Sequence, residues 1–189
     1  NRKEMDNDKI ITARIEDKLE QCERGSYITA TGFLNMHEQS LAMRIVRGRS
    51  DVKSFFYGGY DDAERRIIIF VPDGYADTLE DVLEMISPLS VLHIKVAPGS
   101  RKLTHRDYLG SVLSLGLDRS VIGDILVNDK GTAMIVNSDI VDFLLSEFHS
   151  AGHTNLQITA SDIGELEVPE QRVKAVRDTL SSPRLDNMV

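Results

Sequence analysis

Ile10, Ile11, Ile15, Leu19 and Cys22 place apolar side chains on one face of a helix, and Gly25 marks its end. A second helix is predicted from "NMHEQSLAMRIVRG". Asn35 supplies the N-cap, Glu38 stands at capping-box spacing three residues on, and Gly48 stops it. The pattern then changes to extended runs. "DVKSFFYGGY" and "RRIIIFVPDG" predict two strands around a glycine-containing connection. "DTLEDVLEMI" predicts a short helix and "SVLHIKVAP" a strand. After "KVAPGSRKLT" the order repeats. Residues 104–115 predict a helix with Thr104 and Asp107 at cap spacing and Gly116 as terminator. "GDILV" and "GTAMIV" predict strands joined by a turn at Asn128, Asp129 and Lys130. Residues 138–152 predict an amphipathic helix whose buried face carries Ile140, Phe143, Leu144 and Phe148. "NLQITA" and "QRVKAVRD" predict two last strands.

Each half thus reads as a leading helix followed by strand, strand, helix, strand. That order predicts an α+β protein of two small α/β two-layer sandwich domains, the second RRM-like or related. The Pro-, Gly- and base-containing segment "KVAPGSRKLT" places the boundary between residues 1–98 and 99–180. Residues 181–189 form a third piece. Ser182 reads as an N-cap and Pro183 as a first helical residue, so a further helix is announced and the sequence is expected to be part of a longer protein.

Composition sharpens this picture. Of 189 residues, 41% are hydrophobic and 28% charged, which suffices for packed cores. No apolar run reaches the length of a membrane span, so no membrane partner is expected. Cys22 is the only cysteine, which excludes an intrachain disulfide and a cysteine metal cluster and fits a reducing cytoplasm. The net charge of −8 argues against non-specific nucleic-acid binding by the chain as a whole, but leaves room for local basic patches.

Candidate chemistry is sparse. His149 and His153 have helical metal-pair spacing, but Gly152 stands between them and no further ligand is evident; no metal site and no cofactor are expected. No Gly-x-Ser-x-Gly elbow occurs, and Cys22 falls on an apolar helix face, so no catalytic residue is assigned. Asp61, Asp62, Glu165 and Glu167 read as solvated acids. The glycines of "GGYDDAERR" match no phosphate-binding fingerprint and read as a turn or a close backbone approach.

Basic residues say more. Arg44, Arg47, Arg49 and Lys53 gather where the second helix passes into a strand, and Arg65 and Arg66 open the next strand, near Phe55, Phe56 and Tyr57. Such a group can bind phosphates and stack bases. It can equally be a solvated sheet edge whose aromatics face the core. A second group, Arg101, Lys102, His105 and Arg106, surrounds a helix N-terminus, where positive charge is unfavourable unless an anion neutralises it. That anion is either a bound phosphate or the carboxylate of Asp107.

Three segments resemble the YlmH (RqcP) family of bacterial RNA-binding proteins: "FFYGGYDDAERRIIIFVPD", "HRDYLGSVLSLGLDRSVIGDILV" and "SSPRLDNMV". The resemblance implies two N-terminal α/β modules followed by an αL RNA-binding domain, to whose opening Arg184 and Asp186 correspond. It implies a cytoplasmic, non-enzymatic factor associated with the large ribosomal subunit. Its partners would be rRNA and tRNA, with no DNA expected, and its role would lie in rescue of stalled nascent chains. Some members are called cell-division proteins. The RNA-binding residues then expected are Arg44, Arg47, Arg49, Lys53, Arg65, Arg66, Arg101, Lys102, His105, Arg106, Arg184 and Asp186. Two rivals stand beside this reading: a protein-interaction scaffold whose RNA binding resides in the αL domain alone, and an enzyme using His105 as acid/base.

Overall fold

A computed structural model describes residues 1–60 and 64–165. The predicted strand "QRVKAVRD", the helix start at Ser182, and Asp61, Asp62, Glu167, Arg184 and Asp186 lie outside the described residues. Two compact units divide the chain, one formed by Asn1–Ile86 and the other beginning at Ser87.

The first unit opens with α1 (Arg2–Gly25), which starts at Asn1, where the side chain accepts from the Lys3 N–H, and ends with Ser26 in the left-handed region. Then follow β1 (Thr29–Ala30), α2 (Met36–Val46), β2 (Val52–Gly58), β3 (Arg66–Pro72) and α3 (Leu79–Met85). The capping box of α2 is present in both directions: Asn35 Oδ1 accepts from Glu38 N at 2.9 Å, and Glu38 Oε1 accepts from Asn35 N at 2.9 Å. The strands form an antiparallel sheet in the order β1-β3-β2, with Phe55 opposite Ile69 and Gly58 opposite Arg66. Ile15, Leu19 and Cys22 of α1 and Ala42 and Val46 of α2 pack on Val52, Ile68 and Phe70 of this sheet. Truncating a side chain as enclosed as Leu19 to alanine costs about 2–5 kcal/mol. Every residue of the central strand β3 is buried, in keeping with its continuous apolar run.

The second unit comprises β4 (Leu89–Val96), α4 (His105–Leu113), β5 (Ile122–Asn128), β6 (Gly131–Asn137), α5 (Val141–Glu147), β7 (Ser150–Ala151) and β8 (Thr154–Asp162). The sheet order is β5-β6-β4-β8-β7, and all its pairings are antiparallel. Leaving aside the two-residue β7, the order β4-α4-β5-β6-α5-β8 is the βαββαβ arrangement of ferredoxin-like and RRM folds. Leu92, Ile94, Met134 and Val136 on one face of the sheet meet Tyr108 and Val112 of α4 and Leu144 of α5.

Two sequence expectations change here. The boundary expected at residue 98/99 moves to Ile86/Ser87, because β4 pairs with β6 and β8 rather than with the first sheet. The Pro- and Gly-containing segment after it is a loop inside the second unit: Ser100 N donates to Ala97 O at 3.1 Å, and Gly99 has φ +85°, so Pro98-Gly99 forms the centre of a tight turn. The helix expected over residues 138–152 is shorter. It starts with a single tight turn at Ser138–Ile140 and ends at Phe148. Leu144 and Phe148 are buried, but Phe143 is 40% exposed. No helix among the described residues is long and apolar enough to cross a membrane.

Candidate RNA interface

The first basic group is largely occupied by its own unit. Arg49 Nη1 meets Glu23 Oε1 at 2.6 Å, and Lys53 Nζ meets Asp77 Oδ1 at 3.1 Å. Arg65 donates to the Phe33 carbonyl at 3.2 Å. Arg66 is 8% exposed and donates from Nη1 to Gln39 Oε1 at 3.1 Å. The amide of Gln39 in turn donates to the carbonyls of Leu34 and Glu64, at 2.9 and 2.8 Å. The guanidinium of Arg66 is therefore a structural group turned inward, not a surface one. Phe55 and Tyr57 are buried, and Phe56 packs on the first core, so the aromatics of β2 serve packing and offer no stacking platform. Arg44 and Arg47 are exposed.

The second group is arranged around the start of α4. Thr104 Oγ1 accepts from Asp107 N at 3.3 Å, and an Asp107 carboxylate oxygen accepts from Thr104 N at 2.8 Å. Arg101 reaches both Asp107 oxygens at 3.4 Å and donates to the Gly152 carbonyl, also at 3.4 Å. These bonds, the one from the Thr104 backbone foremost and then those from Arg101, hold the Asp107 carboxyl below the usual carboxylate range. The choice left open by the sequence is thereby resolved for the cap itself. Asp107 is the anion at this helix N-terminus, and Arg101 is its partner. Lys102, His105 and Arg106 remain exposed, and among the described residues no hydrogen bond or ion pair engages their side chains.

The loop geometry explains this division. The Pro98-Gly99 turn and the buried Leu103, 3% exposed, pin the loop at both ends. Arg101 then folds over Gly152, where an added Cβ would stand 2.2 Å from Arg101 Nη2. Lys102 is left pointing outward beside the hairpin of β5 and β6. That hairpin turns at Asp129-Lys130, with Asn128 Oδ1 accepting from Lys130 N at 2.9 Å and Gly131 N at 3.1 Å. Lys95 at the end of β4 and Lys130 at the hairpin tip are exposed beside Lys102, and both escaped the sequence reading. Lys95 carried a weak signal, as a charge alternating with the core residues Ile94 and Val96; Lys130 carried none.

The other candidates are dispersed. His149 follows α5, while His153 sits in the left-handed turn between β7 and β8 at φ 65°, so the two do not share a helix. Among the described residues no three His, Cys, Asp or Glu side chains converge as a metal site. Cys22 is fully buried, and burial pushes its thiol up to about 11.

The second unit thus combines an RRM-type βαββαβ fold with exposed Lys95, Lys102 and Lys130 near one end of its sheet. Residues 88–165, nearly all of the described second unit, match the family model described as "Putative RNA-binding domain in YlmH". The chain is also 33% identical over 156 residues, 82% of its own length, to "Ribosome-associated protein quality control protein P2" of Bacillus subtilis (strain 168). It spans 58% of that relative's length. In fold it resembles "Cell division protein ylmH from Streptococcus pneumoniae", with a TM-score of 0.63 and 19% identity over 84% of this chain and 93% of that one. The chain belongs to the YlmH family.

Proposed function

We propose that this chain is the N-terminal part of a ribosome-associated factor that binds RNA through its second unit and acts by positioning, without catalysis. The observation that carries the reading is a coincidence of place. The segment matched by the RNA-binding family model is also the one that leaves Lys102, His105 and Arg106 exposed and, among the described residues, without ion-pair partners. Phosphate contacts from such side chains fix the register of a protein on RNA, while shape selects the site. The likeness to a ribosome-associated quality-control protein supports a place at the ribosome, and thus in the cytoplasm; rRNA and tRNA of the large subunit are the partners proposed there. His105 is exposed at the first turn of α4, and among the described residues no acid, base or nucleophile is bonded to it, which supports a binding role over an acid/base one. In this reading Arg184 and Asp186 belong to the opening of an αL RNA-binding domain.

The test is filter binding of large-subunit rRNA across a salt series. Binding should weaken steeply with salt, because each neutralised phosphate releases counterions. Lys102→Ala with Arg106→Ala should lower both affinity and salt slope. Binding that ignores salt, or that ignores these two substitutions, would favour the scaffold in which this part of the protein contacts other proteins.

A further inference from the structure

An RRM-type sheet ordinarily captures RNA by stacking bases on aromatics of its two central strands. This sheet is not equipped for that. Neither β4 nor β6 contains Phe, Tyr or Trp. The one ring on them is His93, whose Nε2 lies 2.6 Å from Ser161 Oγ. RNA bound by this unit must therefore be held by other means.

The second unit offers one at the end of its sheet. A cleft of about 290 Å³ opens between the loop leading to α4 and the β5–β6 hairpin, floored by Val96 and Thr132. Lys95, Lys102 and Lys130 line it from three separate segments, with Arg101, which Asp107 already engages, as the fourth cation and Asp129 as the one carboxylate. Among the described residues none of the three ammonium groups is engaged in an ion pair or a hydrogen bond. Tyr108 also lines the cleft. Its ring packs into the core, and among the described residues its hydroxyl makes no hydrogen bond and is not one of the enclosed polar atoms. Three like charges around one cleft, beside a hydroxyl able to donate, suit an anionic oxygen.

We infer that this cleft is a phosphate-backbone site for single-stranded RNA: Lys95, Lys102 and Lys130 hold consecutive phosphates, and the Tyr108 hydroxyl donates to a phosphate or ribose oxygen. The inference rests on the RNA-binding reading above and specifies where and how the strand is held. The Asn128 side chain fixes the hairpin that carries Lys130, and the Pro98-Gly99 turn fixes the loop that carries Lys102, so two of the three cations are presented by rigid local structure.

The test is fluorescence anisotropy of the whole chain with a labelled oligouridylate over a salt series, with circular dichroism to verify folding of each variant. Lys95→Ala with Lys130→Ala should weaken binding on the order of ten-fold and reduce the salt slope by about 1.4, since each contact to a single strand contributes about 0.7. Tyr108→Phe keeps the ring in the core and should weaken binding several-fold with the slope unchanged. If the wild-type chain binds with a salt slope and none of these substitutions alters it, the cleft is not the site, while RNA binding by the unit stands. If the wild-type chain shows no salt-sensitive binding, both fall. If adenosine monophosphate or inorganic phosphate competes as well as the oligonucleotide does, the cleft is a small-anion site and the strand assignment is overturned.

Discussion

Gly59 and Arg66 are built for each other. Gly59 has φ +84°, and a Cβ there would stand 2.8 Å from Arg66 Nε. The glycine pair Gly58-Gly59 thus lets the backbone pass against a buried guanidinium, which Gln39 holds from the other side. Gly59→Ala combines a left-handed backbone, costing about 1–2 kcal/mol for an L side chain, with displacement of Arg66. Urea unfolding should show a lower midpoint, by an amount above that backbone cost alone.

Gln39 links Arg66 to two main-chain carbonyls, so its removal takes the amide partner from the buried Arg66 guanidinium and a donor from the Glu64 carbonyl, while the Leu34 carbonyl keeps the Arg66 N–H. Gln39→Leu should destabilise by roughly 1–3 kcal/mol, the cost of orphaning such groups. RNA affinity should not change, because the network points inward. A loss of RNA binding in a folded Gln39→Leu protein would return Arg66 to the interface.

The cap of α4 makes a pH prediction with a definite sign. Asp107 has a depressed folded-state pKa, so its contribution to stability is complete above the unfolded value, near pH 4, and is lost as pH falls through the folded value. The stability difference between wild type and Asp107→Asn should therefore be constant at neutral pH and shrink in acid. Thermal melts across that range check this. A difference that grows on acidification would contradict the bonding from Thr104 and Arg101.

Cys22 should be inert in the native protein. Its thiol is pushed up to about 11 by burial, and by the nearby Glu23 and Asp51 carboxylates, so at neutral pH little thiolate forms. Ellman's reagent should label it only on addition of denaturant; stoichiometric labelling of the folded chain would contradict this.

What the sequence revealed was mostly local. Asn35 with Glu38 and Thr104 with Asp107 announced both capping boxes because a cap is written within four residues. The β5–β6 hairpin was legible at Asn128 for the same reason. Partnership between distant segments was not. β4 follows α3 in the chain and looks like the close of the first module, yet its pairing with β6 and β8 joins it to the second. Phe143 has core spacing on a long helix but lies outside on the short one that forms. Among the site candidates, Arg66 looked like a surface base beside another arginine. Its burial depends on Gln39, 27 residues earlier. Lys95 and Lys130 carry no shared motif and become neighbours only through the sheet.

The two basic groups should also separate in function. Arg49 and Lys53 are engaged by Glu23 and Asp77. Arg49→Ala and Lys53→Ala should leave rRNA affinity within about two-fold, while Lys102→Ala with Arg106→Ala should lower it on the order of ten-fold, as expected when phosphate contacts are lost. Competition binding with labelled rRNA compares the variants directly.

In the proposed function RNA lies on the second unit. Ultraviolet crosslinking of the chain to large-subunit rRNA, followed by mass spectrometry of the crosslinked peptides, tests it most directly. Crosslinks are expected within residues 88–165, concentrated at the loop around Lys102 and the hairpin around Lys130. Crosslinks confined to residues 1–86, at Arg44 and Arg47, would contradict it.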